Sequence, residues 1–149
     1  VVCNALGDVL DPGTGRLLAG ARTTVRSMSL LDSTRAMLMG TAMAHPSAGA
    51  NTSIGVVATN ARLDKAQARR LAVAGHDGLA RAIRPVHTPM DGDTLFGLAT
   101  GTCSEAPDPM LLCTMGAEAV ALATVRAVQA ATALRMGDRH WPCAADLTA

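Results

Sequence analysis

The sequence has almost no aromatic residues: Phe96 and Trp141 stand alone, and tyrosine is absent. Proteins that bind single-stranded nucleic acid lean on stacked aromatic rings, and a formal net charge of +1 supplies no cationic field to collect phosphate backbones or anionic lipid. Neither nucleic acid nor membrane is therefore expected as a partner. The four cysteines, Cys3, Cys103, Cys113 and Cys143, show no C-x-x-C spacing. In a chain of this size they read as free thiols of a reducing compartment. With no signal peptide and no 18-residue apolar run evident, a soluble, cytoplasmic protein is expected. Metal-site patterns are missing too. His87 lies four residues before Asp91 and could reach Asp93, but a cation wants more ligands than that, so neither a metal nor a cofactor is expected. The chain also opens without methionine, on "VVCNALGDVLD", with strand character from its first residue. That suggests an incomplete, C-terminal portion of a longer domain.

What is present is small and aliphatic. Nearly half of the 149 residues are apolar, so Ala, Gly, Val and Leu must fill one domain's core and let elements approach closely. Residues 1–10 read as a strand, "DPGTG" (11–15) as a turn and "RLLAG" as a return. A helix is predicted from Ser33 to His45 behind a serine cap, stopping before Pro46. "PSAGAN" reads as an exposed linker and "TSIGVVAT" (52–59) as a strand apolar on both faces, as in a covered sheet. Asp64 and Gln67 have capping-box spacing, and behind them Leu71, Ala74, Gly75, Gly78 and Ala82 share a helix face. A two-proline loop (84–94) leads to a strand at 94–101, and an Ala-rich helix, buried or at a subunit interface, is predicted from Leu111 to Met136. The tail from 137 reads as disordered. Met28, Met37, Met39 and Met43 are expected as gap-filling core. Arg62, Arg69, Arg70, Arg81 and Arg84 are expected on a solvated face, and His45 and His76 at helix ends or the surface. The order of elements fits a layered α/β domain.

The chemistry suggested by the sequence lies in "GANTSIGVVATNARL", where a leader of small residues runs straight into Thr52 at the head of a strand. Were the Asn51–Thr52 bond to break, Thr52 would carry hydroxyl and α-amine on one residue, nucleophile and base together. An α-amine titrates near ~8, so a useful fraction is neutral at pH 7. Such a site needs an oxyanion donor and groups that orient the amine. Asn4 offers a neutral amide at a strand end, and "MDGDT" offers Asp91 and Asp93 on an acidic turn. Each has an ordinary alternative: a D-x-D turn is usually solvated, an asparagine there usually bonds backbone, and Asn51-Thr52-Ser53 is also a glycosylation sequon.

The stretches "NTSIGVVATNARLDKAQARRLA", "GLARAIRPVHTPMDGDTLFGLATG" and "VVCNALGDVLD" resemble the L-aminopeptidase/D-esterase family of self-processing N-terminal-nucleophile hydrolases. That family includes D-aminopeptidases, β-aminopeptidases and nylon-oligomer hydrolases. The resemblance implies a four-layer α-β-β-α sandwich, usually a homo-oligomer, and an autoprocessing amide hydrolase acting on a small peptide or amide. Thr52 matches the nucleophile, Asn51 the residue before the scissile bond, Asn4 the asparagine that binds the oxyanion, and Asp91 and Asp93 the acidic pair near the amine. Residues 1–51 would then be the C-terminal part of an α chain and 52–149 a β chain, together one domain. Family precursors carry further strands and active-site residues upstream of the point where this chain opens. The alternatives are an acyltransferase of the ornithine acetyltransferase type and an inactive truncated paralogue that acts only by association.

Overall fold

The computed structural model describes residues 1–41, 50–104 and 107–148. Its central strand is β4 (Thr52–Thr59), at the bounds predicted from sequence, with Ser53, Gly55 and Val57 turned inward and Ile54, Val56 and Ala58 outward. On one side β1 (Val2–Asn4) pairs antiparallel, placing Cys3 opposite Ser53 and Asn4 opposite Thr52. On the other side β6 (Thr94–Ala99) pairs parallel, from Ile54 opposite Thr94 to Thr59 opposite Ala99. Parallel neighbours need a long crossover, and α2 (Lys65–Ala82) supplies it. The end of β1 and the heads of β4 and β6 consequently meet at one end of this sheet.

The two glycines and three alanine or leucine positions expected on one face of α2 are all buried, and the Asp64/Gln67 capping box forms as its spacing predicts. Small residues set the distances between layers. A methyl group on Gly97 would overlap the Ala68 carbonyl of α2, and one on Gly78 would overlap the Ala117 carbonyl of α3 (Pro109–Ala130). Because backbone stands in the way, Gly78→Ala must push the two helices apart. We expect it to lower unfolding free energy by about 3 kcal/mol, measured by urea denaturation. In an unobstructed helix the same change stabilises, so an unchanged or raised midpoint would refute the close helix contact. The main core joins Val9, Val57, Leu71, Leu79, Ile83, Leu95 and Val120.

A second sheet runs in the order β3 (Leu17–Ala19), β2 (Asp8–Leu10), β5 (Ile83–Arg84), antiparallel throughout. The single strand expected over residues 1–10 is thus two strands in two sheets. The chain changes sheets near Gly7, which lies against the Pro85 backbone where a side chain would overlap it. Asp8, fully buried, then accepts from the Ser33 amide (2.6 Å), the Ser33 hydroxyl (2.8 Å) and the Ala21 amide (3.1 Å). Burial pushes its carboxyl up, and these bonds pull it back.

Several further expectations are corrected. Helix α1 (Ser33–Leu38) is short, capped by Asp32 rather than by a serine, and ends where Gly40 takes a left-handed φ of 70°. Residues 42–45 of that predicted helix, with Met43 and His45, and most of the linker lie outside the described residues. Met37 and Met39 are exposed because α1 buries only Ser33 and Ala36, and Met28, in the loop before it, is exposed too. Helix α3, capped by Asp108, buries Gly116, Val120, Ala121, Thr124 and Val125 and leaves Met110, Leu111, Met115 and Leu122 exposed. Contrary to the sequence reading, α3 is long and apolar enough to cross a membrane by length and composition alone; here it packs along α2. It stops at Ala130, and the tail forms a hairpin of β7 (Leu134–Met136) and β8 (Arg139–Trp141), followed by a 3-10 turn at Ala144–Asp146. The five arginines are exposed as expected, two of them in surface pairs, Arg81–Glu118 at 2.7 Å and Arg84–Asp32 at 3.4 Å.

Candidate active site

The convergence of strand ends brings Asn4, Asn51, Thr52, Asp91 and Asp93 to one place. Pairing of β4 with β6 continues past Thr52 as a parallel bridge between Asn51 and Asp91. That register delivers the Gly92 amide to the Asn51 carbonyl at 3.0 Å. The Thr52 hydroxyl donates to the same carbonyl oxygen at 2.6 Å. The bond expected to break therefore has its carbonyl gripped by a backbone N–H and by the hydroxyl of the next residue.

The leader is held one residue further back as well. Asn4 Nδ2 donates to the Ala50 carbonyl at 2.9 Å, not to that of Asn51, while Asn51 Nδ2 donates to the Ala5 carbonyl at 3.1 Å. Among the described residues no donor reaches Asn51 Oδ1, although it is buried. Both asparagines thus lace β1 to the segment entering β4.

The acidic pair is divided. Asp91 Oδ1 accepts from the Leu6 amide at 3.2 Å, and Asp91 Oδ2 from the Thr88 hydroxyl at 2.7 Å and the Thr88 amide at 3.2 Å, so Asp91 closes its own loop onto the segment that follows β1. Asp93 Oδ1 accepts from the Ser53 amide at 2.8 Å, one residue beyond Thr52, and its other oxygen lies 2.8 Å from His87 Nδ1. His87 Nε2 in turn lies 3.3 Å from His76 Nδ1, with the two rings edge-on. His76 is therefore not a helix-end residue: it sits half-buried within α2 and faces the site. Burial, then the neighbouring His87, pushes its imidazole down. Burial pushes the Cys3 thiol up, with Asp93 adding to the effect, so this nearest cysteine is held as a thiol. Among the described residues no cluster of three or more His, Cys, Asp or Glu is arranged to hold a metal.

The sequence pattern of peptidase family S58 matches residues 14–140. The chain belongs to peptidase family S58. Its relatives include a protein of Mycobacterium tuberculosis named as an uncharacterized aminopeptidase, 45% identical over 112 residues, which are 72% of this chain and 32% of that one. A protein of the same name in Mycobacterium leprae is 46% identical over 102 residues, 68% of this chain and 28% of the relative. The 6-aminohexanoate-oligomer endohydrolase of a Kocuria species is 32% identical over 102 residues, 67% of this chain and 28% of that enzyme. The chain spans about a third of the length of these relatives.

Three members of this candidate site, Gly92, His76 and Ser53, escape sequence reasoning. Gly92 was visible only as the middle of D-G-D, a turn signal; nothing there tells that its amide meets residue 51. His76 stands eleven positions before His87, on a helix and not on the loop, with no shared period; only the reach of His87 to Asp93 was legible. Ser53 looks like an ordinary strand residue, yet it is fully buried and its amide is the contact to Asp93.

Proposed function

We propose that this S58 chain carries the self-cleaving core of an N-terminal-nucleophile amide hydrolase. The observation that carries the reading is the Asn51 carbonyl held between the Gly92 amide at 3.0 Å and the Thr52 hydroxyl at 2.6 Å. In the first reaction the Thr52 oxygen adds to the carbonyl carbon of Asn51, and charge on the former carbonyl oxygen falls on the Gly92 N–H. The C–N bond to Thr52 breaks, its nitrogen gains a proton, and Asn51 is left as an ester on Thr52. Water hydrolyses that ester, giving a free Asn51 carboxylate and a Thr52 with both hydroxyl and α-amine.

The same parts then serve turnover. Departure of the leader frees the donors that held its carbonyls, Asn4 Nδ2 and the Gly92 amide, to bind a substrate carbonyl and stabilise its oxyanion. The neutral α-amine takes the hydroxyl proton, Thr52 attacks the substrate amide, the leaving amine receives that proton, and water releases the acyl group. Two carboxylates beside an amine would favour the ammonium. Here Asp91 is already satisfied by Leu6 and Thr88, which leaves Asp93 as the carboxylate next to the new terminus. The substrate class is a small peptide or amide oligomer, as the names of the S58 relatives suggest.

The layering supports the finer reading of the fold. Val2, Ile54, Val56, Phe96 and Leu98 form a contiguous apolar face on the outer side of the first sheet, with Val56 57% and Phe96 56% exposed. Soluble proteins seldom leave such a face open. A second sheet packed there completes a four-layer α-β-β-α sandwich, in a cytoplasmic homo-oligomer. Intact-mass spectrometry of the full natural protein tests the chemistry: two species dividing between Asn51 and Thr52 are expected. A single uncut mass after prolonged incubation would overturn the proposal.

A further inference from the structure

We propose that His87, braced by His76, is a positioning residue of this centre, and that the two rings make self-cleavage respond to pH. The inference rests on the self-cleaving reading above.

Asp93 is the buried end of a directed chain. Its side chain is only 4% exposed, and each of its oxygens has one partner: the Ser53 amide on Oδ1 and His87 Nδ1 on Oδ2, both at 2.8 Å. A carboxylate turned by one backbone amide could still swing about that bond; the imidazole fixes the second oxygen and hence the plane. The loop is bent to achieve this, for His87 holds a φ of 53°, in the left-handed region that a side chain normally avoids. Strain of that kind is retained where the surroundings define the conformation, and here His76 supplies the far side of the clamp at 3.3 Å.

The proton pattern follows from the contacts. His87 donates Nδ1–H to the Asp93 carboxylate, so its Nε2 must accept, and His76 must present an Nδ1–H to it. One added proton goes to His87 Nε2, with His76 changing tautomer to accept it. A second would set two N–H donors head to head. The hydrogen-bond pattern therefore has room for one added proton and not for a second, and the low imidazole of the half-buried His76 agrees with that. The charged or titratable groups facing His76 are His87, Asp93 and Asp77 of its own helix. His87 faces His76 and Asp93.

The consequence is electrostatic. When the Asn51–Thr52 bond breaks, the Thr52 nitrogen gains a proton, and Asp93 sits against the next amide along. A carboxylate balanced only by a neutral ring favours that proton; a cation on His87 cancels the help. Splitting should fall on the acid side, where a proton added to the pair places a cation beside Asp93. The α-amine plays no part in this dependence, because it is still locked in the peptide bond.

The test uses the full natural protein, with splitting followed by intact mass from pH 5 to 8, and turnover on a panel of aminoacyl p-nitroanilides. Thr52→Ala is the control: if it still splits, the self-cleaving reading falls and this inference with it. If it stays whole, the histidine variants decide the inference alone. His87→Ala should slow splitting at every pH by at least about tenfold, the usual scale for losing a group that orients a reacting one, and should lower kcat more than it changes KM. His87→Asn still offers an N–H near the position of Nδ1 but does not titrate, so it should restore most of the rate at pH 7.5 and abolish the acid-side inflection. Wild-type splitting in His87→Ala would overturn the proposal. So would equal slowing in both His87 variants with the wild-type pH profile kept, since that is what a merely structural role would give.

Discussion

Replacing Thr52 with alanine is expected to leave the chain in one piece and inert. The substitution removes the oxygen that donates to the Asn51 carbonyl at 2.6 Å and that would attack it. Nothing nearby replaces it. The Ser53 hydroxyl is on the next residue and turned into the core, and the Cys3 thiol is held protonated by burial. Loss of a sole nucleophile costs at least about a thousandfold, so no split product should be seen by intact mass over the time in which wild type is fully cut. Folding should be spared, because Thr52 is half-buried and its strand is held by two neighbours. Thr52→Ser keeps the hydroxyl and should still split. An alanine variant that divides after Asn51 would mean that the attacking group is elsewhere.

Gly92→Ala carries the second largest expected effect, and it reaches the same bond from the opposite side. A methyl group at this position would come 2.8 Å from the Thr52 hydroxyl oxygen, closer than such contacts occur, and 3.8 Å from the Asn51 carbonyl oxygen. The hydroxyl must turn away, or the loop must retreat and take the Gly92 N–H with it. Either movement misplaces a reacting group by a large fraction of an ångström, for which about a hundredfold loss of rate is typical. The expected signature is slow splitting in a protein of wild-type thermal stability, since Gly92 lies in an exposed turn. Wild-type splitting kinetics in Gly92→Ala would remove the Gly92 amide from the mechanism.

The contrast between what could and could not be read beforehand follows from the range of the interactions. Strand β4 was legible residue for residue because a run of β-branched residues between a small-residue leader and Asn60 has few other uses. The start of α2 was legible because a capping box is a local transaction between positions 64 and 67. Pairing was not, since nothing in "VVCN" says that it lies beside "TSIG" and not beside "LLAG". The two-sheet split of residues 1–10 depends on Gly7 meeting Pro85, far along the chain. At the site the same rule holds. Thr52, Asn4, Asp91 and Asp93 were named from motif resemblance, and the structure brings them together. The division of labour within the acidic pair needed distances, as did the two histidines. Met28, Met37 and Met39 were misjudged because composition counts apolar residues without saying which of them turn toward the core.

The position of β4 has one more consequence. A cut before Thr52 severs the covalent tie between β1 and β4, yet β4 stays zipped to β1 on one edge and β6 on the other. On the proposed self-cleavage the domain would then be two polypeptides sharing one core, and the closure that was intramolecular would become an association. Before the cut, a denatured chain finds its own β1 at an effective concentration set by residues 5–51, which join the two strands. Afterwards, recovery is second order and fails on dilution. Each molecule would thus fold easily once, as a precursor, and afterwards rely on slow unfolding to last.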